Sequence, residues 1–337
     1  NMSYRWSKSL FALLIGMLLC SLPVSAFALD LGPVEVHGFA SQLYINSDGN
    51  NYLGDSRNGS WENREAGINL FYRPTSQSYI TGQLLYRDIG HFDPSQDSLI
   101  LDYLVAGFTI LSDFEDELVL RIGRLCPTSG VYSDAVNAVS NRPSVLMPFA
   151  KYNEYSRSYS GDVKGFDLTW SRRSQLGEFQ TIYSFGRNDY DIDNQFYDLK
   201  SRVESIYGPY GLIASNEPFV EQDTFHAQGL ALVYTSSDLK WRLGAGYGYV
   251  DEHSVLIIMN HNWGQFRHWQ ETKSGISKNL SAEYYSQDWV FTGEYYLSSS
   301  KGRSETYLFD GYSIGGGSYG YTSEGFYLQG RYFFNQN

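Results

Sequence analysis

Three histidines, His253, His261 and His268, share one stretch of this chain with Asp251 and Glu252. That is the nearest the sequence comes to a metal or catalytic cluster. Zinc sites space their ligands as H-x3-H or HExxH so that two imidazoles meet on one face, and neither pattern occurs here. Gly315-Gly316-Gly317 lacks the following Lys-Ser/Thr of a phosphate cradle and reads as a flexible loop tip. The chain is therefore expected not to be an enzyme and to need neither metal nor cofactor.

The other charges form two sets. Segment 126–160 is rich in small and polar residues and sets Arg142, Lys151 and Arg157 against Asp134 and Glu154, with Arg121 and Arg124 just before it. Opposed acidic and basic groups across a narrow passage order water and orient a dipolar solute. Arg142-Pro143 is stiff, because proline fixes its own φ and restricts its predecessor. The plainer alternative is a solvated loop whose charges confer solubility. The second set, Arg87, Asp102, Asp167, Arg242 and Glu294, lies within stretches that alternate apolar and polar residues.

The elements that must carry these residues alternate apolar and polar positions. Ala66, Ile68, Leu70 and Tyr72 oppose Glu65, Gly67, Asn69 and Phe71, and Trp241 to Tyr249 is apolar or aromatic at every odd position and Arg or Gly at every even one. Strands are expected near 34–45, 64–73, 78–88, 98–111, 117–125, 161–172, 177–187, 225–236, 239–250, 273–285, 289–298 and 324–334. Short turns (74–77, 112–116, 173–176, 237–238, 286–288) alternate with long loops (46–63, 89–97, 126–160, 188–224, 251–272, 299–323). A water-soluble sandwich also alternates. It does not sort its connections by length, nor place aromatics at both ends of its strands.

The expected fold is thus all-β: a transmembrane antiparallel β-barrel of at least twelve strands in a bacterial outer membrane. Phe334 is followed by Asn335-Gln336-Asn337: either a three-residue tail follows a complete twelve-stranded barrel, or this is the start of another turn in a C-terminally truncated copy of a larger barrel of about 16 strands, the reading preferred here. In such a wall a charge facing lipid costs about 2–4 kcal/mol at mid-depth, so the second charge set must face the lumen. Arg124 breaks the phase of Arg121 and belongs at the rim. In an open pore such residues set ion selectivity; in a plugged barrel they form a lattice of ion pairs. The apolar run Val255-Leu256-Ile257-Ile258-Met259 fits an inward plug, a subunit contact or a strand extended above the membrane.

Composition agrees. The 337 residues include 33 Gly, 29 Tyr and 20 Phe, yet mean hydropathy is −0.35 and, after residue 28, no apolar run reaches helix-spanning length. Arg5 and Lys8, the uncharged run Leu10 to Leu19 and Ala26-Phe27-Ala28 read as an export leader over residues 1–28. Leu19 before Cys20 argues against a lipoprotein signal. Losing Arg5 and Lys8 takes a formal net charge of −12 to −14, which excludes a nucleic-acid partner and leans a pore toward cations. Cys126 then stands alone, so no internal disulfide forms and burial is expected.

Two stretches go beyond barrel pattern. One is His37-Gly38-Phe39-Ala40-Ser41-Gln42 with Asn50 to Ser56 and Arg64-Glu65-Ala66-Gly67-Ile68-Asn69; the other runs from Arg121-Ile122-Gly123-Arg124 through Asp134 to Asn141-Arg142-Pro143-Ser144-Val145-Leu146-Met147-Pro148. They resemble the porin-like outer-membrane proteins of Gram-negative proteobacteria, most clearly over 34–172. The resemblance implies a passive diffusion channel for small hydrophilic solutes or ions, with 126–160 as its constriction loop. Its partners would be outer-membrane lipid and those solutes, and a homotrimer is the common assembly. A non-channel barrel acting as adhesin or receptor through its long loops is the alternative.

Overall fold

The computed structural model describes residues 25–30, 32–49, 56–89, 98–125, 130–133, 142, 147–148, 151–152, 163–188, 199–200, 203–222, 225–309 and 312–334. Among them fifteen strands join one sheet, and their described ladders are antiparallel. The first eight are β1 (Ser25–Asp30), β2 (Val34–Gln42), β3 (Asn63–Thr75), β4 (Ser78–Ile89), β5 (Ser98–Ser112), β6 (Asp116–Leu125), β7 (Val163–Ser174) and β8 (Gly177–Asn188). There follow β9 (Ala214–Gln222), β10 (Phe225–Ser236), β11 (Trp241–Val250), β12 (His253–His261), β13 (Gly264–Tyr285), β14 (Trp289–Phe309) and β15 (Tyr312–Tyr332). β1 to β8 are neighbours in chain order, β10 then pairs β8, β11 pairs β10, and β13 pairs β11, β12 and β14. β1 takes in Ala26 to Ala28, the expected cleavage site, and pairs them with β2.

The chain forms two compact units. In the first (Asn1–Arg73, Thr81–Asp102, Ala135–Val145), β2 and β3 pair from Val34↔Tyr72 to Gln42↔Arg64. Ile68 and Leu70 are about half exposed, whereas Glu65, Gln83, Arg87 and Asp102 are buried. Phe39 and Leu85 pack together with Ile100 against them. A Cβ on Gly67 would meet the Phe39 ring at 2.5 Å, so that ring fills the place of the missing side chain.

The second unit (Pro74–Ile80, Tyr103–Asp134, Leu146–Asn337) repeats the inversion on a larger scale. Leu230, Leu232, Trp241, Leu243, Leu280, Phe291 and Phe326 are exposed, while Asp167, Glu283, Thr292 and Glu294 are at most 4% exposed. A sheet with its apolar face open and its carboxylates covered is at rest only with hydrocarbon on the apolar side. This is the wall of a transmembrane β-barrel, and such walls belong to bacterial outer membranes.

Aromatic pairs mark the level of the short turns: Phe179–Tyr234 at 4.8 Å, Trp241–Tyr284 at 4.7 Å and Trp289–Tyr332 at 4.9 Å, as an interfacial girdle requires. The turns themselves are locally specified. The Asp113 carboxylate accepts the Glu115 and Asp116 amides at 2.9 and 2.7 Å, which holds its pKa below the usual carboxylate value. Leu239 takes a φ of 58°, and Asp238 accepts the Lys240 amide beside it.

Two expected loops are not loops. Residues 253–261, 264–272, 299–309 and 312–323 are strand: β13, β14 and β15 run 22, 21 and 21 residues, about twice the nine to eleven that span a bilayer. One half of β13 pairs β11 from Trp241↔Tyr284 to Val250↔Gly275, and the other pairs β12 from His253↔Thr272 to His261↔Gly264. A bulge between Thr272 and Ser274 marks the changeover. β12 also pairs β9, with Ile257 opposite Val220.

This extension has a core of its own: Val203, Leu212, Val255, Ile257, Met259, Phe266 and Leu308. The run 255–259 is therefore a strand beyond the membrane, with its alternate residues buried. Gly315 to Gly317 lies within β15, opposite Thr306, Glu305 and Ser304, and is not a loop tip.

Candidate functional site

The polar face of β13 to β15 holds part of the segment between β6 and β7. Glu294 of β14 accepts the Val131 amide at 2.7 Å and also the Tyr327 hydroxyl. The Tyr132 hydroxyl donates to Gln329 at 2.9 Å and lies 3.1 Å from the Thr292 hydroxyl, and the Tyr132 amide donates to the Tyr152 hydroxyl at 2.9 Å. Lys151 lies 4.5 Å from the centre of the Tyr296 ring. Burial pushes the Tyr132 and Tyr152 hydroxyls above the ordinary range, so both stay neutral. Glu294 is thus an anchor for Val131 as well as a charge on the polar face.

Ion pairs line the same face. Arg121 grips Asp167 with Nε at 2.9 and 3.0 Å and Nη2 at 2.7 Å, the strong forked geometry that suits guanidinium and carboxylate. Arg242 reaches the Val131 carbonyl at 3.2 Å and Glu283 at 3.5 Å; Arg331 lies 3.8 Å from the other oxygen of Glu283. In the first unit Glu65 sits between Arg87 at 2.8 Å and Arg142 at 3.0 Å, all three buried, and Gln83 donates to Asp102 at 2.6 Å. There Arg64 also holds Asp88 at 2.8 Å.

Between these charges runs a strip of small residues. Gly229 of β10 faces Gly248 of β11, Ala231 faces Gly246 and Val233 faces Gly244. Ser277, Asn279 and Ser281 of β13 continue the same three rows. A Cβ on Gly246 would collide with Asn279 Oδ1, so glycine here gives room to its neighbour's amide. Gly130 and Val131 reach one end of the strip, where Arg242, Gly244 and Asn279 help line a cavity of about 20 Å³, room for about one water.

Arg87, Asp102, Asp167, Arg242 and Glu294 all lie on the polar face, buried or part-buried, each with a partner of opposite charge or a hydrogen-bond donor. Arg142 meets Glu65, whereas Lys151 meets an aromatic ring. Arg124 pairs in register with Lys164 near the end of β6, out of phase with Arg121. Asp134, Glu154, Arg157 and Cys126 lie outside the described residues. The sequence alone does not single out Glu283, Arg331, Tyr132, Tyr152 and Tyr327, nor give Glu65 its two arginine partners. Their inward phase was visible, but their partners depend on register between distant strands.

The three histidines do not converge. His253 contacts the Asp251 carbonyl, His261 the Leu308 carbonyl and His268 the Thr306 hydroxyl. Among the described residues no group of three or more His, Cys, Asp or Glu is placed to hold a metal.

No protein-family model matches this chain, and no curated sequence is similar enough to count as a relative. Solved structures similar to it include the outer-membrane channel DcaP of Acinetobacter baumannii, at 9% identity over 92% of this chain and 97% of that one, TM-score 0.27. Salmonella typhi OmpF, solved with daunomycin, shows 10% identity over 90% of this chain and 100% of its own, TM-score 0.36. A mutant Rh. blastica porin shows 10% identity over the same shares, TM-score 0.32.

Proposed function

We propose that this protein is an outer-membrane porin, a passive diffusion channel for small hydrophilic solutes or ions. The small-residue strip carries the reading. Gly229, Ala231, Gly244, Gly246 and Gly248 place no bulk on the polar face of β10 and β11, next to serines and an asparagine of β13. A barrel filled by its own side chains needs large residues there. Segment 126–160, whose Val131 and Tyr132 bond to Glu294 and Thr292, is the filter on this reading. Polar groups held in fixed positions by it set which solutes pass.

A second reading has one observation in its favour. The extension of β9 and β12 to β15 has a dedicated core, which a bare channel does not need, and it offers a rigid surface to an adhesin or receptor. Reconstitution into a planar bilayer decides between them. A channel gives uniform conductance steps that shrink when Gly246 becomes Trp. A folded, heat-modifiable barrel with no conductance would replace the channel with the binding role.

A further inference from the structure

In the three ion pairs on the polar face of the second unit the two charges are not equally accessible. The Glu283 side chain is 2% exposed, whereas its partners Arg242 and Arg331 are 31% and 27% exposed. Asp167 is 2% exposed against 28% for Arg121. Within the other unit, Asp88 is 10% exposed against 51% for Arg64. In the second unit the carboxylates lie against the wall and the guanidiniums stand over them, whereas Glu65, Arg87 and Arg142 of the first unit are all buried. A solute approaching this face therefore meets positive charge first.

Around Glu283 an excess of positive charge is also open to solvent. One carboxylate faces two guanidiniums, leaving a net charge of +1 among the three. Both carboxylate oxygens already accept hydrogen bonds from neutral donors, Tyr285 at 2.9 Å and Thr292 at 3.1 Å. Arg331 comes no nearer than 3.8 Å, and its buried Nε has no hydrogen-bond partner. The Tyr132 ring, 5.8 Å from the guanidinium carbon, steadies it without consuming a donor. Arginine offers five N–H groups in a planar fork that fits oxyanions. Here most of that capacity is unspent beside the residues that anchor segment 130–132.

We propose that Arg242 and Arg331 form an oxyanion-binding step, which makes the protein selective for anionic solutes such as phosphate- or carboxylate-bearing molecules. The selectivity rests on the channel reading; the binding step does not. It reverses the cationic lean suggested by the net charge of −12, because the charge a solute meets in a confined passage outweighs charge on distant surfaces.

The test uses the full folded chain in two assays. In planar bilayers under a potassium chloride gradient, the reversal potential should lie toward the chloride value. Arg331→Gln should move it toward potassium, and Glu283→Gln, which removes the opposing carboxylate, should move it the other way. Titration calorimetry of the detergent-folded barrel with inorganic phosphate should show binding that is lost in Arg331→Gln and in the charge-balanced Arg242→Gln/Glu283→Gln/Arg331→Gln. Heat-modifiable mobility identifies the variants that fold. A conducting channel whose potential favours potassium, or ignores Arg331→Gln, overturns the selectivity. Absence of conductance with phosphate binding intact overturns the channel alone. Absence of phosphate binding overturns the binding step.

Discussion

Strands β13, β14 and β15 pass through two regions that solve opposite problems with the same backbone. In the wall, β14 exposes Trp289, Phe291 and Tyr295 and buries Thr292 and Glu294; in the extension the same strand buries Leu308 at 2%. The wall puts apolar side chains outward into lipid and pairs its polar groups within. The extension puts Ile257, Met259 and Phe266 inward and leaves its other face to water. Period-2 alternation is common to both, so the pattern alone does not say which face is dry. The surrounding solvent does.

The largest way to test this contrast is Ile257→Asp. Ile257 is fully buried, and truncations of such residues alone cost about 2–5 kcal/mol. An unpaired carboxylate there should abolish the extension, exposing 251–272 to protease while the wall keeps its heat-modifiable mobility. Loss of the wall as well would mean the two regions are one cooperative unit. Next in size is Leu230→Arg, on the outward face of β10 and 42% exposed. In water a half-exposed leucine tolerates arginine within about 0.5 kcal/mol. In lipid the cost is about 2–4 kcal/mol, measurable as a lower urea midpoint for the folded barrel. Phe219→Arg, at an exposed position of the extension, should stay near zero; equal costs at both sites would erase the contrast.

Glu294→Ala tests the polar side of the wall. Glu294 holds the Val131 amide and the Tyr327 hydroxyl, and a hydrogen bond to a charged group contributes about 1.5–3 kcal/mol. On the porin reading, losing it should free segment 130–132 and turn uniform conductance into larger, noisier steps. Glu294→Gln keeps an acceptor oxygen and should restore most of the uniformity. Unchanged conductance in Glu294→Ala would remove that segment from the filter.

How much of this was legible follows from the same contrast. The wall was readable because one face meets lipid and the other polar groups, so Leu70 against Asn69 or Leu243 against Arg242 differ sharply in type. The extension was not readable, because a sheet in water accepts polar residues on both faces. The stretch from Ser313 to Tyr319 of β15 is mostly Gly and Ser and shows no alternation, yet it pairs residue for residue with β14 over most of its length. Inward phase placed Arg87, Asp102, Asp167, Arg242 and Glu294 on the polar face, since side-chain direction is a local property of a strand. Their partners were beyond reach. Glu283 and Arg331 are 48 positions apart in the sequence and meet only through the β13–β14–β15 registers.

The smallest expected effect comes from His268, which shares a row with Ile257 and Thr306 in the extension. Burial among these neighbours holds its pKa below the ordinary histidine value of about 6.5. The folded extension then binds fewer protons than the unfolded one as pH falls through that value, so its stability drops on acidification. Protease cleavage within 251–272 should be faster at pH 5.5 than at pH 7.5, with little change in the wall. His268→Gln keeps a hydrogen-bonding side chain opposite the Thr306 hydroxyl but cannot titrate, and should flatten the difference. An equal pH response in that variant would move the sensitivity elsewhere. A response in the wall would show that the two halves of β13 share one stability after all.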